Sequence, residues 1–75
     1  MSVLQKGQLC KDPFIHERRV KVLQLLSEGF EQMEIAPKLK VTEDTIKTDI
    51  SLMRRSQKCY NSTHLVAMAI REGII

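Results

Sequence analysis

Seventy-five residues with a net charge of +3 make one small domain, which hides only about 60% of its unfolded surface on folding. An apolar share of 43% excludes a disordered chain, and only three glycines, two prolines and three aromatics (Phe14, Phe30, Tyr60) favour helices over a turn-rich β fold. The longest apolar run, residues 65–70, is far short of the roughly 20 residues that span a bilayer.

Residues 1–11 carry little periodicity and read as a loose arm before a domain over 12–75. Asp12-Pro13 is a helix start, an N-cap followed by proline at the first helical position. Ile15, Val22, Leu23 and Leu26 then recur at helical spacing as far as Gly29, which predicts a first helix over 13–28. A second helix fits 32–39, burying Ile35, Ala36 and Leu39, with Pro37 expected to kink it or end it early. Lys40-Val41 leaves room only for a tight turn. Thr42 caps a third helix over 43–57, with Glu43 and Asp44 where the helix dipole favours acids. Asn61 caps a fourth over 62–72, stopped by Gly73. No period-two pattern appears, so the fold class is all-α, a four-helix bundle around a central helix-turn-helix.

Charge is uneven along these elements. Residues 38–58 hold six basic side chains (Lys38, Lys40, Lys47, Arg54, Arg55, Lys58) against three acidic ones (Glu43, Asp44, Asp49), while the flanking parts are balanced. The third helix buries Ile46, Ile50 and Met53 and turns Asp44, Lys47, Thr48, Ser51, Arg54, Arg55 and Lys58 outward. A polar, basic helix behind a short turn is the arrangement that reads a DNA groove.

Glu34-Ile35-Ala36, Leu39, Val41-Thr42, Thr45-Ile46-Lys47 and Ile50 resemble the core of the LuxR/GerE-type helix-turn-helix domain. The stretch 22–29 resembles its first helix and glycine stop, and Asn61-Ser62-Thr63 with Leu65-Val66 the start of its fourth. The likeness covers about residues 14–74, and the length matches single-domain members. It implies that the third helix enters the major groove, with Lys47, Thr48 and Ser51 at base edges. Thr42, Thr45, Arg54 and Arg55 would hold phosphates, with Lys38 and Lys58 as further backbone contacts. It also implies a homodimer through the fourth helix. There Leu65, Met68 and Ala69 pack inward, and Thr63, Val66, Ala67 and Ile70 meet the partner.

The departures from the family pattern carry expectations of their own. Arg19 stands where the family has glutamate, and Ser62 where it often has arginine, so an ion pair would be lost if those positions meet. Gln57 and Lys58 replace a leucine and a glycine, leaving that helix end less well sealed. Asp49 replaces a common histidine and is expected on the DNA-facing side, near phosphates.

The remaining residues read plainly. His16 and His64 are exposed bystanders, Met33 and Met53 fill the core, and Cys59 is a small buried apolar residue with Cys10 the more reachable thiol. No metal, cofactor or catalytic set is visible, so the chain is not expected to be an enzyme. The expectation is a cytoplasmic, sequence-specific regulator of double-stranded DNA, binding an inverted repeat as a homodimer. RNA polymerase or another regulator would be a further partner, with no membrane attachment. Two alternatives are a protein-interaction module of the same fold that dimerises with or sequesters another regulator, and a region of an RNA polymerase specificity factor.

Overall fold

The computed structural model describes residues 8–75, which form four helices and, among those residues, no strand. Helix α1 is Pro13–Ser27, α2 Gln32–Leu39, α3 Glu43–Gln57 and α4 Ser62–Arg71. Each start has a local chemical cause. The Asp12 carboxylate accepts the N–H groups of Phe14 and Ile15 at 2.8 and 3.2 Å, the Thr42 hydroxyl accepts that of Thr45, and the Asn61 side chain accepts that of His64. At α2 the Glu34 carboxylate reaches back to the Glu31 N–H at 2.9 Å.

The helix ends close with left-handed residues. Gly29 takes φ +97°, and Phe30 N–H then donates to the Leu25 carbonyl at 3.1 Å. Pro37 neither breaks nor shortens the expected α2; the helix runs two residues past it and closes at Lys40, φ +59°. The end of α3 is sealed in the same manner. Lys58 adopts φ +56°, and Cys59 N–H donates to the Arg54 carbonyl at 2.9 Å. A lysine there performs the turn that glycine would perform without Cβ strain.

The core is Leu9, Val22, Leu23, Ile35, Ala36, Ile46, Ile50, Met53, Leu65 and Ala69, drawn from all four helices and from the segment before them. Leu9 falls in the stretch expected to be a loose arm. Residues 1–7 of that stretch lie outside the described residues. Leu9 is fully buried, its N–H donates to His16 Nδ1 at 3.0 Å, and its carbonyl accepts from Arg19 Nη1 at 3.2 Å. Residues 8–11 are therefore a strap laid on the bundle.

Both histidines have similar local work. His64 Nδ1 accepts the Tyr60 N–H at 3.1 Å while its ring stacks on that of Tyr60, so neither imidazole is a bystander. Met53 is buried as expected, but Met33 is 65% exposed and fills no core. Cys10 and Cys59 are free, half-buried thiols, and burial pushes the Cys59 thiol up from its ordinary value.

Candidate nucleic-acid interface

Helix α3 stands behind the α2 turn with its apolar stripe inward. Ile46, Ile50 and Met53 face the core, and the next residues round the helix in the other direction face solvent. Lys47, Thr48, Ser51 and Arg55 are exposed, and their side chains make no hydrogen bond or ion pair to another described residue. Their donors and acceptors are thus available to a ligand along one side of a 15-residue helix. Lys58 extends that side at the end of the helix and is also exposed.

The other candidate residues are partly engaged. Thr42 and Thr45 sit at the first turn of α3 with their hydroxyls 2.9 Å apart, one of them already capping the helix. Lys38 is exposed, and its ammonium lies 4.5 Å from the centre of the Phe30 ring. Arg54 is half-buried. Its Nη2 donates to the Tyr60 carbonyl at 2.6 Å, and its Nε is buried without a partner. Arg54 stands at the edge of the stripe, half-open to solvent, and fastens the α3–α4 loop.

Asp49 is the main correction. It is 1% exposed and points between α1 and α3, not toward the open face. Arg18 grips it with two bonds, Nε to Oδ2 at 2.7 Å and Nη2 to Oδ1 at 2.8 Å, and Arg19 Nε adds a third to Oδ1 at 3.0 Å. The bond to Asp49 raises the Arg18 guanidinium above its ordinary value although burial opposes it, so Arg18 stays charged at any working pH.

The structure also pairs position 19 with position 49 rather than with Ser62, which lines a separate shallow groove with Leu26, Ser27, Thr63 and Val66. Arg19 and Asp49, two separate departures from the family pattern, are one compensated pair. The anion that the family has on α1 is a cation here, and α3 carries the matching charge. Arg18 was missed in the sequence because an arginine on a helix with several charges has no distinguishing pattern.

On α4, Leu65 and Ala69 are fully buried and Met68 is half-buried, while Thr63 and Ala67 are exposed, Val66 is half-buried and Ile70 is 57% exposed. An apolar edge of the helix thus faces outward.

Comparison with known proteins decides the family. The profile for bacterial regulatory proteins of the luxR family matches residues 16–69, which spans all of α2 and α3 and most of α1 and α4. The chain belongs to the luxR family of bacterial regulatory proteins. It is a DNA-binding transcription-regulator domain of that family. It is similar to the uncharacterized transcriptional regulatory protein YxjL of Bacillus subtilis (strain 168), with 36% identity over 64 residues. That stretch is 85% of this chain but 29% of the relative, so the chain spans under a third of that protein's length. No solved structure matches the chain significantly. Among the described residues no helix is long and apolar enough to cross a membrane.

Proposed function

We propose that the domain reads a specific duplex DNA sequence with α3 in the major groove, working in the cytoplasm as a homodimer on an inverted-repeat site. The observation that carries this is the open side of α3, where Lys47, Thr48, Ser51 and Arg55 have no described partner and no buried carboxylate competes for them. Lys47 suits guanine O6 and N7, and the two hydroxyls can donate or accept at neighbouring base edges. Arg55, Lys58, Lys38 and the Thr42–Thr45 turn are placed for phosphates, which fix register without reading sequence. Arg54 adds rigidity to the loop that presents them.

The exposed edge of α4 at Thr63, Val66, Ala67 and Ile70 is the dimer contact. A two-fold axis there sets two copies of α3 about one DNA turn, ~34 Å, apart. Selection of sites from random duplex DNA, followed by titration of the winner at two salt concentrations, tests the reading. An enriched inverted repeat whose affinity falls with salt is expected. No enrichment from folded protein would overturn it in favour of a protein-interaction module. Ile70→Glu should give a folded monomer with weakened affinity for the full site, and a dimer surviving that change would place the interface elsewhere.

A further inference from the structure

The strap before α1 lies beside the open side of α3. A groove of about 440 Å³ runs between them, lined by Leu9, Cys10 and Lys11 on one wall and Leu52, Arg55 and Ser56 on the other, with Arg19 beneath. No carboxylate lines it. The nearest in sequence, Asp12, is turned onto the α1 backbone it caps. Arg19 is engaged by Asp49, which it shares with Arg18, and by the Leu9 carbonyl. The free cations of the groove are Lys11 and Arg55, both exposed and without a described partner.

We propose that Lys11 and Arg55 form a phosphate clamp on the α1 side of α3, so that the strap is part of the DNA-binding surface. The inference rests on the DNA reading of α3 given above. Arg55 lies one and two turns beyond Ser51 and Thr48 on the same side, and Leu52 and Ser56 lie one step round toward α1. A helix of 15 residues is about 22 Å long, while the major groove is only about 12 Å wide, so its flanks meet the sugar-phosphate walls. The wall on the α1 side would run over this groove. Its apolar wall residues, with Leu52 at 40% exposure, suit the sugars between phosphates.

Placement of Lys11 is not left to chance. Leu9, two residues earlier, is anchored by full burial and by hydrogen bonds at both its N–H and its carbonyl. Two residues of chain span at most about 7 Å, so Lys11 stays within a side chain's reach of α3.

The test is titration of the selected duplex by fluorescence anisotropy over a range of potassium chloride, with wild type, Lys11→Gln, Lys47→Ala and Lys21→Gln. Lys21 is an exposed lysine of α1 that lines neither this groove nor the open side of α3. Loss of one phosphate contact should shallow the slope of log affinity against log salt by about 0.9. That change is expected for Lys11→Gln and not for Lys21→Gln, at unchanged thermal stability. Equal slopes for the two glutamine variants would reduce the effect to net charge and overturn the clamp. An unchanged slope for Lys11→Gln, with Lys47→Ala still impaired, would overturn the clamp alone. A wild-type chain that binds no duplex would overturn the DNA reading and the clamp with it.

Discussion

Removal of the Asp49 carboxylate gives the sharpest test of how α3 is held. Asp49 is 1% exposed and receives three charge-assisted bonds, two from Arg18 and one from Arg19. In Asp49→Ala the two guanidinium groups lose their common counter-ion. The Arg18 side chain is 23% exposed and can turn to water, but that of Arg19 is 10% exposed and keeps only the Leu9 carbonyl. Breaking a buried pair from one side costs about 3–5 kcal/mol, because an uncompensated charge remains. A domain of this size has a total stability of only about 4–11 kcal/mol at 0.05–0.15 kcal/mol per residue. Asp49→Ala should therefore remove a large share of the domain's stability and lower its unfolding midpoint sharply.

Loss of the cation from the other side behaves differently. Arg19→Met removes a buried cation yet leaves Asp49 in its two-bond grip with Arg18, so its cost should stay below about 1.5 kcal/mol, as volume-conserving core changes do. Urea unfolding followed by helix circular dichroism measures both, the midpoint carrying the comparison if the slope is unchanged. An Asp49→Ala cost below about 1 kcal/mol would mean that the pair behaves like an exposed salt bridge and that the argument is wrong. So would an Arg19→Met cost equal to that of Asp49→Ala.

Other expectations follow from the same geometry. Lys47→Ala should lose about 1–3 kcal/mol of binding to the selected site and relax preference at one base pair, read by titration against single-position variants. Arg54→Ala should lower the unfolding midpoint, because its Nη2 bond to the Tyr60 carbonyl holds the α3–α4 loop. A charge-assisted bond of that kind is worth about 1.5–3 kcal/mol. Its effect on DNA affinity should be uniform across sequences. Lys58→Gly should relieve the left-handed backbone at φ +56° and raise stability by up to about 1 kcal/mol, while weakening DNA binding if Lys58 touches phosphate. A melting curve and a salt titration on one preparation separate the two effects.

The frame of this domain is written in local chemistry, and that part was legible. Asp12-Pro13, Thr42 and Asn61 cap the helices that they were expected to cap, and Gly29 and Gly73 take the positive φ that ends a helix. The residues that periodicity placed inside α3, Ile46, Ile50 and Met53, are inside. The misplacement of Asp49 has a definite cause. Asp49 and Arg54 both border the apolar stripe of α3, where a helical wheel assigns a side chain to water or core only by convention. What decides such positions is a partner far along the chain, and Arg18 and Arg19 lie 31 and 30 residues from Asp49. Leu9 was missed for a related reason: an apolar residue in a segment without periodicity carries no signal until the surface that receives it exists.

The pairing of positions 19 and 49 shows what such long-range information does to a resemblance. Taken singly, Arg19 removes one end of a family ion pair and Asp49 puts an acid on the DNA-facing side. Taken together they pair at 3.0 Å, and with Arg18 they hold the Asp49 carboxylate between α1 and α3, away from the open side. The family's usual charges can then be restored only in both places at once. Arg19→Glu alone sets two carboxylates side by side, and Asp49→His alone leaves two arginines without an anion. The combined change should recover stability relative to the sum of the single changes by about 1–3 kcal/mol, the range found for residues in direct contact. Additive losses would mean that the two positions do not share one energetic unit, and that the position of α3 against α1 is set by apolar packing alone.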